Sequence, residues 1–105
     1  MDGPKSDIVI TRHDEGTHGE YRAAVPGSDA IGRLTYQRRE TTNGGTTLIA
    51  DHTLVPPEIG GKGVAAKLVE ALIADARAAG DTIEPQCSYV EAAFRRHPEW
   101  AELRA

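Results

Sequence analysis

Along the first half of the chain, apolar residues come in short runs or alternate with polar ones. From Val64 onward they recur at helical spacing. Ile8-Val9-Ile10-Thr11-Arg12 is a β-rich run that ends in the turn-rich stretch Asp14-Glu15-Gly16-Thr17-His18-Gly19. Glu20 to Val25 alternates polar and apolar residues before Pro26-Gly27-Ser28-Asp29, and Ala30 to Arg39 supplies a third strand. Asn43-Gly44 follows, the dipeptide that most readily supplies the positive φ angles of a tight hairpin turn. Thr46 to Val55 returns as a fourth strand in which Leu48, Ala50, His52 and Leu54 alternate onto one face.

Pro56 and Pro57 donate no ladder hydrogen bonds, so the fourth strand should end or splay there, before Gly60-Gly61-Lys62-Gly63. Val64, Ala65, Leu68, Val69, Leu72, Ile73 and Ala76 then form one face of a helix that Gly80 is suited to cap. Thr82 to Cys87 has room for one short strand, which Pro85 pushes toward a sheet edge. Ser88 with Glu91 three residues on is a capping-box pattern, Val90, Ala93 and Phe94 form an apolar stripe, and Pro98 marks the stop of a second helix. The pattern predicts an α+β fold. Its mixed, mostly antiparallel five-stranded sheet carries a βαβ crossover, which makes strand five parallel to strand four, and two main helices.

Length confines this pattern to one core: 105 residues make a single domain, expected over residues 8–105 after a flexible N-terminus at 1–7. The formal charge of -4 offers no sequence-wide positive field to gather nucleic acid or anionic lipid, so neither is an expected partner. Cys87 is the only cysteine, which rules out an internal disulfide and suits a reducing cytoplasm. Met1 to Ser6 lacks the apolar core of a signal peptide, and no later apolar run approaches the ~20 residues of a membrane span. The expectation is a soluble, cytoplasmic protein.

Candidate chemistry concentrates in Val55-Pro56-Pro57-Glu58-Ile59-Gly60-Gly61-Lys62-Gly63-Val64-Ala65, a strand end, a glycine-rich turn and a helix start in that order. Glycines let backbone N–H groups approach a ligand closely, and the free amides and dipole of a helix start favour phosphate oxygens. Lys62 adds charge at the mouth. The plainer reading is a loop that needs glycine only for a sharp strand-to-helix turn. The stretch contains no G-x-x-x-x-G-K-[ST] and no complete G-x-G-x-x-G followed by a strand-ending acid, which moves nucleotide hydrolysis and NAD binding behind. The four histidines lack the spacing and cysteine partners of a structural zinc site, so no metal is expected.

The segment Gly60, Gly61, Lys62, Gly63, Val64, Ala65 resembles the pyrophosphate-binding motif of the GNAT acyl-CoA N-acyltransferases: Gln or Arg, two variable residues, Gly, one variable residue, then Gly or Ala. Gly60 departs from the usual long polar residue at the first position. Asp51 to Glu58, Cys87-Ser88-Tyr89-Val90 and Arg95-Arg96-His97-Pro98-Glu99-Trp100 extend the resemblance, over residues 8 to 103, to a small single-domain GNAT-like subfamily. In full-size members, helices between the first two strands help form the acceptor site, whereas here only the turn from Asp14 to Gly19 occupies that place.

The resemblance implies acetyl-CoA as acyl donor, in the gap where strands four and five splay apart. Pantetheine would pair with backbone near Leu54 and Val55, and the diphosphate would lie on the loop from Gly60 to Ala65. Cys87 precedes the second helix, whose dipole lowers a thiol pKa, and could protonate departing CoA or become acetylated; its plain alternative is a small buried apolar residue. His52 is the candidate base, against the reading of a core histidine hydrogen-bonded to a neighbour, while Tyr89 is the nearest phenol to the place of a tyrosine acid, against a packing residue after the cap. Arg95 and Arg96 could reach adenosine phosphates or be a solvated helix end, and Trp100 anchors the C-terminal segment. The reading is N-acetyl transfer to an unidentified amine, a small molecule or a protein lysine. Its alternatives are a non-catalytic acyl-CoA-binding or sensing module, and a structural domain whose glycine loop is only a turn.

Overall fold

The computed structural model describes residues 7–105, so Met1 to Ser6 lie outside the described residues. Strands β1 (Val9–Asp14), β2 (His18–Ala24), β3 (Ile31–Glu40) and β4 (Thr46–Leu54) are followed by helix α1 (Val64–Ala79), β5 (Thr82–Pro85) and helix α2 (Ser88–Arg96). The strands form one five-stranded sheet in sequence order, antiparallel from β1 to β4 and parallel between β4 and β5. Alternation along the strands turns Tyr21, Ala23, Leu34, Tyr36, Leu48 and Ala50 toward the helices, where they join Leu68, Leu72, Val90 and Phe94 in one apolar cluster. The other sheet face carries no helix and is lined by polar side chains.

Three local expectations are corrected. The β3–β4 hairpin turns over Thr41–Gly45, with Thr41 N–H donating to Gly45 O, and only Gly44 has positive φ (87°); Asn43 does not, so no two-residue tight turn forms. The register slips between Thr35, opposite His52, and Tyr36, opposite Ala50, which makes Asp51 the extra residue of a β-bulge. The capping box is also absent: Cys87, not Ser88, is the N-cap of α2, and no side chain caps it. The N–H groups of Gln86 and Cys87 both donate to Ala50 O at 2.9 Å, holding Cys87 extended and starting the helix at Ser88, one residue earlier than a Ser88 cap would. Glu91 is drawn instead to Arg95 and Arg104.

Far from the glycine loop, a polar network ties the edge strand β1 to α1. Arg12 lies over the rings of Tyr21 and Tyr36, donates to Tyr36 Oη at 2.9 Å and reaches Asp75 at 3.2 Å. Tyr21 donates to Asp75 at 2.8 Å, and Tyr36 donates to Asp14 at 2.5 Å. On the opposite rim, Ile83 makes a parallel bridge to Arg104, and Ala105 N–H donates to Ile83 O at 2.8 Å.

Candidate active site

The glycine loop is held at both ends by apolar burial. After the exposed Leu54 and half-buried Val55, Pro57–Ile59 makes a single 3-10 turn whose Ile59 is fully buried. Gly60 is extended, and the chain then turns through left-handed conformations at Gly61 (φ 74°) and Gly63 (φ 79°), which any L side chain would strain. A Cβ at either position would meet nothing within 4 Å, so these backbones face open space. Gly63 is the N-cap of the 16-residue α1 and no side chain caps that end. The first-turn amides of Val64 and Ala65 therefore lack intrahelical acceptors, and Lys62 stands exposed beside them. Val64 is buried over Gly32 of β3, which fixes the helix start against the sheet. This donor set suits an anion, and two negative oxygens of a diphosphate match it in chemistry.

Pairing between β4 and β5 ends at Ala50 and Pro85, while β4 runs on to Leu54. The β4 edge from Asp51 to Leu54 thus has no strand beside it on that side. Cys87 closes the base of this notch, half-buried, with its thiol donating to Thr53 Oγ1 at 3.4 Å. Partial burial pushes its pKa up, but once the sulfur is ionised the Thr53 hydroxyl and the Val90 and Tyr89 amides can donate to it, which outweighs burial and leaves the thiol below its ordinary value.

The bulge at Asp51 redistributes the residues expected on one face. Thr53, opposite Leu34, takes the helix side beside Cys87, whereas His52, opposite Thr35, stands exposed on the helix-free face. His52 is therefore no core histidine, and it lies across the sheet from Cys87. Tyr89 divides in another way: its amide serves the Cys87 sulfur, while its ring lies in a shallow depression between α1 and α2. Arg96 lines the same depression, its guanidinium 6.0 Å from the Tyr89 ring, whereas Arg95 is solvated and paired with Glu91 at 3.3 Å. Trp100 is buried, edge-on to Phe94 and stacked on His97 at 4.0 Å. Among the described residues, no three His, Cys, Asp or Glu side chains converge as a metal site.

Sequence reasoning missed one concavity. A groove of about 820 Å³ opens on the helix-free face, lined by Glu20, Arg22, Arg33, Thr35, Gln37 and Asp51 together with side chains of the β1–β2 turn. At its β4 wall, Asp51 accepts from Thr35 Oγ1 at 2.6 Å and from Gln37 Nε2 at 3.1 Å. Along β2 and β3, Glu20 pairs with both Arg22 and Arg33, which hold its carboxyl below the usual range despite its partial burial. The alternation of polar residues on β2 and β3 was the available signal.

The family model described as GCN5-related N-acetyl-transferase matches residues 20–103 of the chain. No curated protein matches it significantly.

Proposed function

Because the chain belongs to the GCN5-related N-acetyl-transferase family, we propose that it binds acetyl-CoA along the notch between β4 and β5 and moves the acetyl group to an amine. The divergence of β4 from β5 beyond Ala50 and Pro85 carries the reading: it leaves an unpaired strand edge between an anion-binding helix start and a thiol. Amides from Gly60 to Ala65, with Lys62, would hold the diphosphate, and the edge at Leu54 and Val55 would pair with the amide-bearing pantetheine arm. The free N–H groups of the bulged edge supply donors for a thioester carbonyl as negative charge develops on it. Cys87 would give its proton to the departing sulfur, and its hydrogen-bonded surroundings make that transfer easier than from an ordinary thiol. Arg96, beside the Tyr89 ring, is better placed than Arg95 for a phosphate contact near α1.

Among the described residues no helix is long and apolar enough to cross a membrane, and the free thiol fits a cytoplasmic setting. The helix-free groove favours an enzyme over a sensing module, since a pure acyl-CoA binder needs no second concavity beside the thioester position. Titration with acetyl-CoA, followed by backbone amide NMR and thermal unfolding, should give saturable shifts at Leu54 to Ala65 and around Cys87, with stabilisation. Release of free CoA in the presence of amines then separates the enzyme from a binder. Absence of shifts and stabilisation at millimolar acetyl-CoA would sink the proposal.

A further inference from the structure

Resting on that reading, the geometry points to the helix-free groove as the acceptor site and to Asp51 as the catalytic carboxylate that holds the acceptor's primary amine. The bulge places Asp51 at the point where β4 loses its β5 partner, so the same residue borders both the thioester notch and the groove. Its two oxygens are oriented by Thr35 and Gln37, neutral donors that leave its charge uncompensated. Among the described residues Asp51 enters no ion pair. Of the other charged side chains of the groove, Arg38 is bound to Asp14 at 2.6 Å, Arg22 and Arg33 share the single carboxylate of Glu20, and Glu15, also without an ion pair among the described residues, lies on the β1–β2 turn rather than on β4. An uncompensated carboxylate therefore stands at one wall, with a surplus guanidinium charge two residues along β3 from Thr35, ~7 Å by strand rise. That pattern complements one amine on a neutral or anionic body and opposes a second cation near the first.

The two faces of the sheet then divide the chemistry. The amine nitrogen attacks from the groove side, forming the C–N bond. The C–S bond breaks with its electron pair passing to the CoA sulfur, which takes a proton from the Cys87 thiol on the helix side. One N–H proton of the nitrogen passes to Asp51 and on to water, and Cys87 regains a proton from water. Asp51 faces the positive charge that grows on nitrogen, where removal of one preorganised group costs ~100-fold or more in rate.

The test is an amide NMR titration of wild type and Asp51→Asn with butylammonium, with sodium butyrate as the salt control and CoA titrated separately into both proteins. Expected are saturable butylammonium shifts at Thr35, Gln37 and Asp51 in wild type, loss of those shifts in Asp51→Asn, no such shifts with butyrate, and unchanged CoA shifts at Gly61 to Ala65 in both. CoA shifts without any butylammonium shifts in the groove of wild type overturn the acceptor assignment and leave the cofactor reading standing. Groove shifts that persist in Asp51→Asn overturn the role of Asp51. Absence of CoA shifts in wild type removes the reading on which the inference rests. The asparagine is isosteric and keeps an acceptor for Thr35, and the wild-type titration decides the site by itself should the variant unfold.

Discussion

Gly32→Ala tests whether the seat of α1 sets the glycine loop proposed to hold the diphosphate. A Cβ at Gly32 would lie 2.7 Å from Val64 Cγ1 and 3.5 Å from both Ala23 Cβ and Leu68 Cδ1. Ordinary carbon contacts lie at about 3.5–4.0 Å, so one neighbour must retreat by roughly 1 Å. Val64 cannot swing aside, because a β-branched side chain in a helix is held to one χ1 rotamer, so the first turn of α1 must lift. Overpacking of this kind costs ~1–3 kcal/mol. The loss of unfolded-state freedom on replacing glycine returns ~0.5–1 kcal/mol. The net expectation is a loss of ~1–2 kcal/mol, a fall in Tm of roughly 4–16 °C for a domain of this size. Because Val64 adjoins Gly63, acetyl-CoA affinity should fall in the same variant. A double-mutant cycle isolates the cause. Val64→Ala removes buried methyl groups at a cost of ~1.5–3 kcal/mol, and in that background Gly32→Ala should cost nothing further or stabilise. Urea unfolding of the four proteins measures the coupling, and additive losses would refute the steric argument.

Cys87→Ala should retain acetyl-CoA binding by titration while turnover falls ~100-fold; full turnover would remove the thiol from the chemistry. As a proton donor Cys87 acts only when protonated, so wild-type rate should decline as pH rises through a thiol pKa below the ordinary value, and that alkaline limb should be missing in Cys87→Ala. Gly63→Ala places a side chain in the left-handed region with no steric neighbour, so its cost should be ~1–2 kcal/mol of backbone strain by urea unfolding, with weakened acetyl-CoA binding. Asp14 is held well below the usual carboxylate range by the Tyr36 hydroxyl first, then by the Gly16 amide, with Arg38 adding to them against the opposing effect of burial. A depressed folded-state pKa contributes stability above the ordinary aspartate range near pH 4 and loses it as pH falls. Asp14→Asn should therefore cost ~1 kcal/mol at pH 7, discounted for partial exposure, and the gap to wild type should narrow at pH 3 in urea unfolding.

The strands and helices were legible because each has a strong local period. The Val64 to Ala76 stripe starts on the first residue of α1 and stops three short of its last, Ala79, and Gly80 closes the helix in a left-handed conformation as the sequence suggests. The glycine loop was legible for the same reason, since Pro56, Pro57 and the glycines constrain their own backbone. His52 was misread because nothing in Leu48-Ile49-Ala50-Asp51-His52 marks a bulge. Its stabilising partners, Thr35 and Gln37, sit on another strand, and only pairing brings them to Asp51. The start of α2 was misplaced by one residue on the same principle: Ser88 and Glu91 look like a local box, but Ala50 O, on β4, decides where the helix begins. The groove escaped because alternating polar residues announce an exposed face without revealing its concavity.

The contact of Arg104 and Ala105 with Ile83 has a consequence for how copies of this chain meet one another. A sheet rim with unoccupied amides and carbonyls is a template for intermolecular strand exchange, and here the β5 rim is already engaged by the chain's own tail. Among the described residues only β1 presents a full-length outer rim, with Val9 more than half exposed at its start (57%). Self-association through backbone pairing at high concentration would thus begin at β1, and a charge at position 9 is the natural gatekeeper against it.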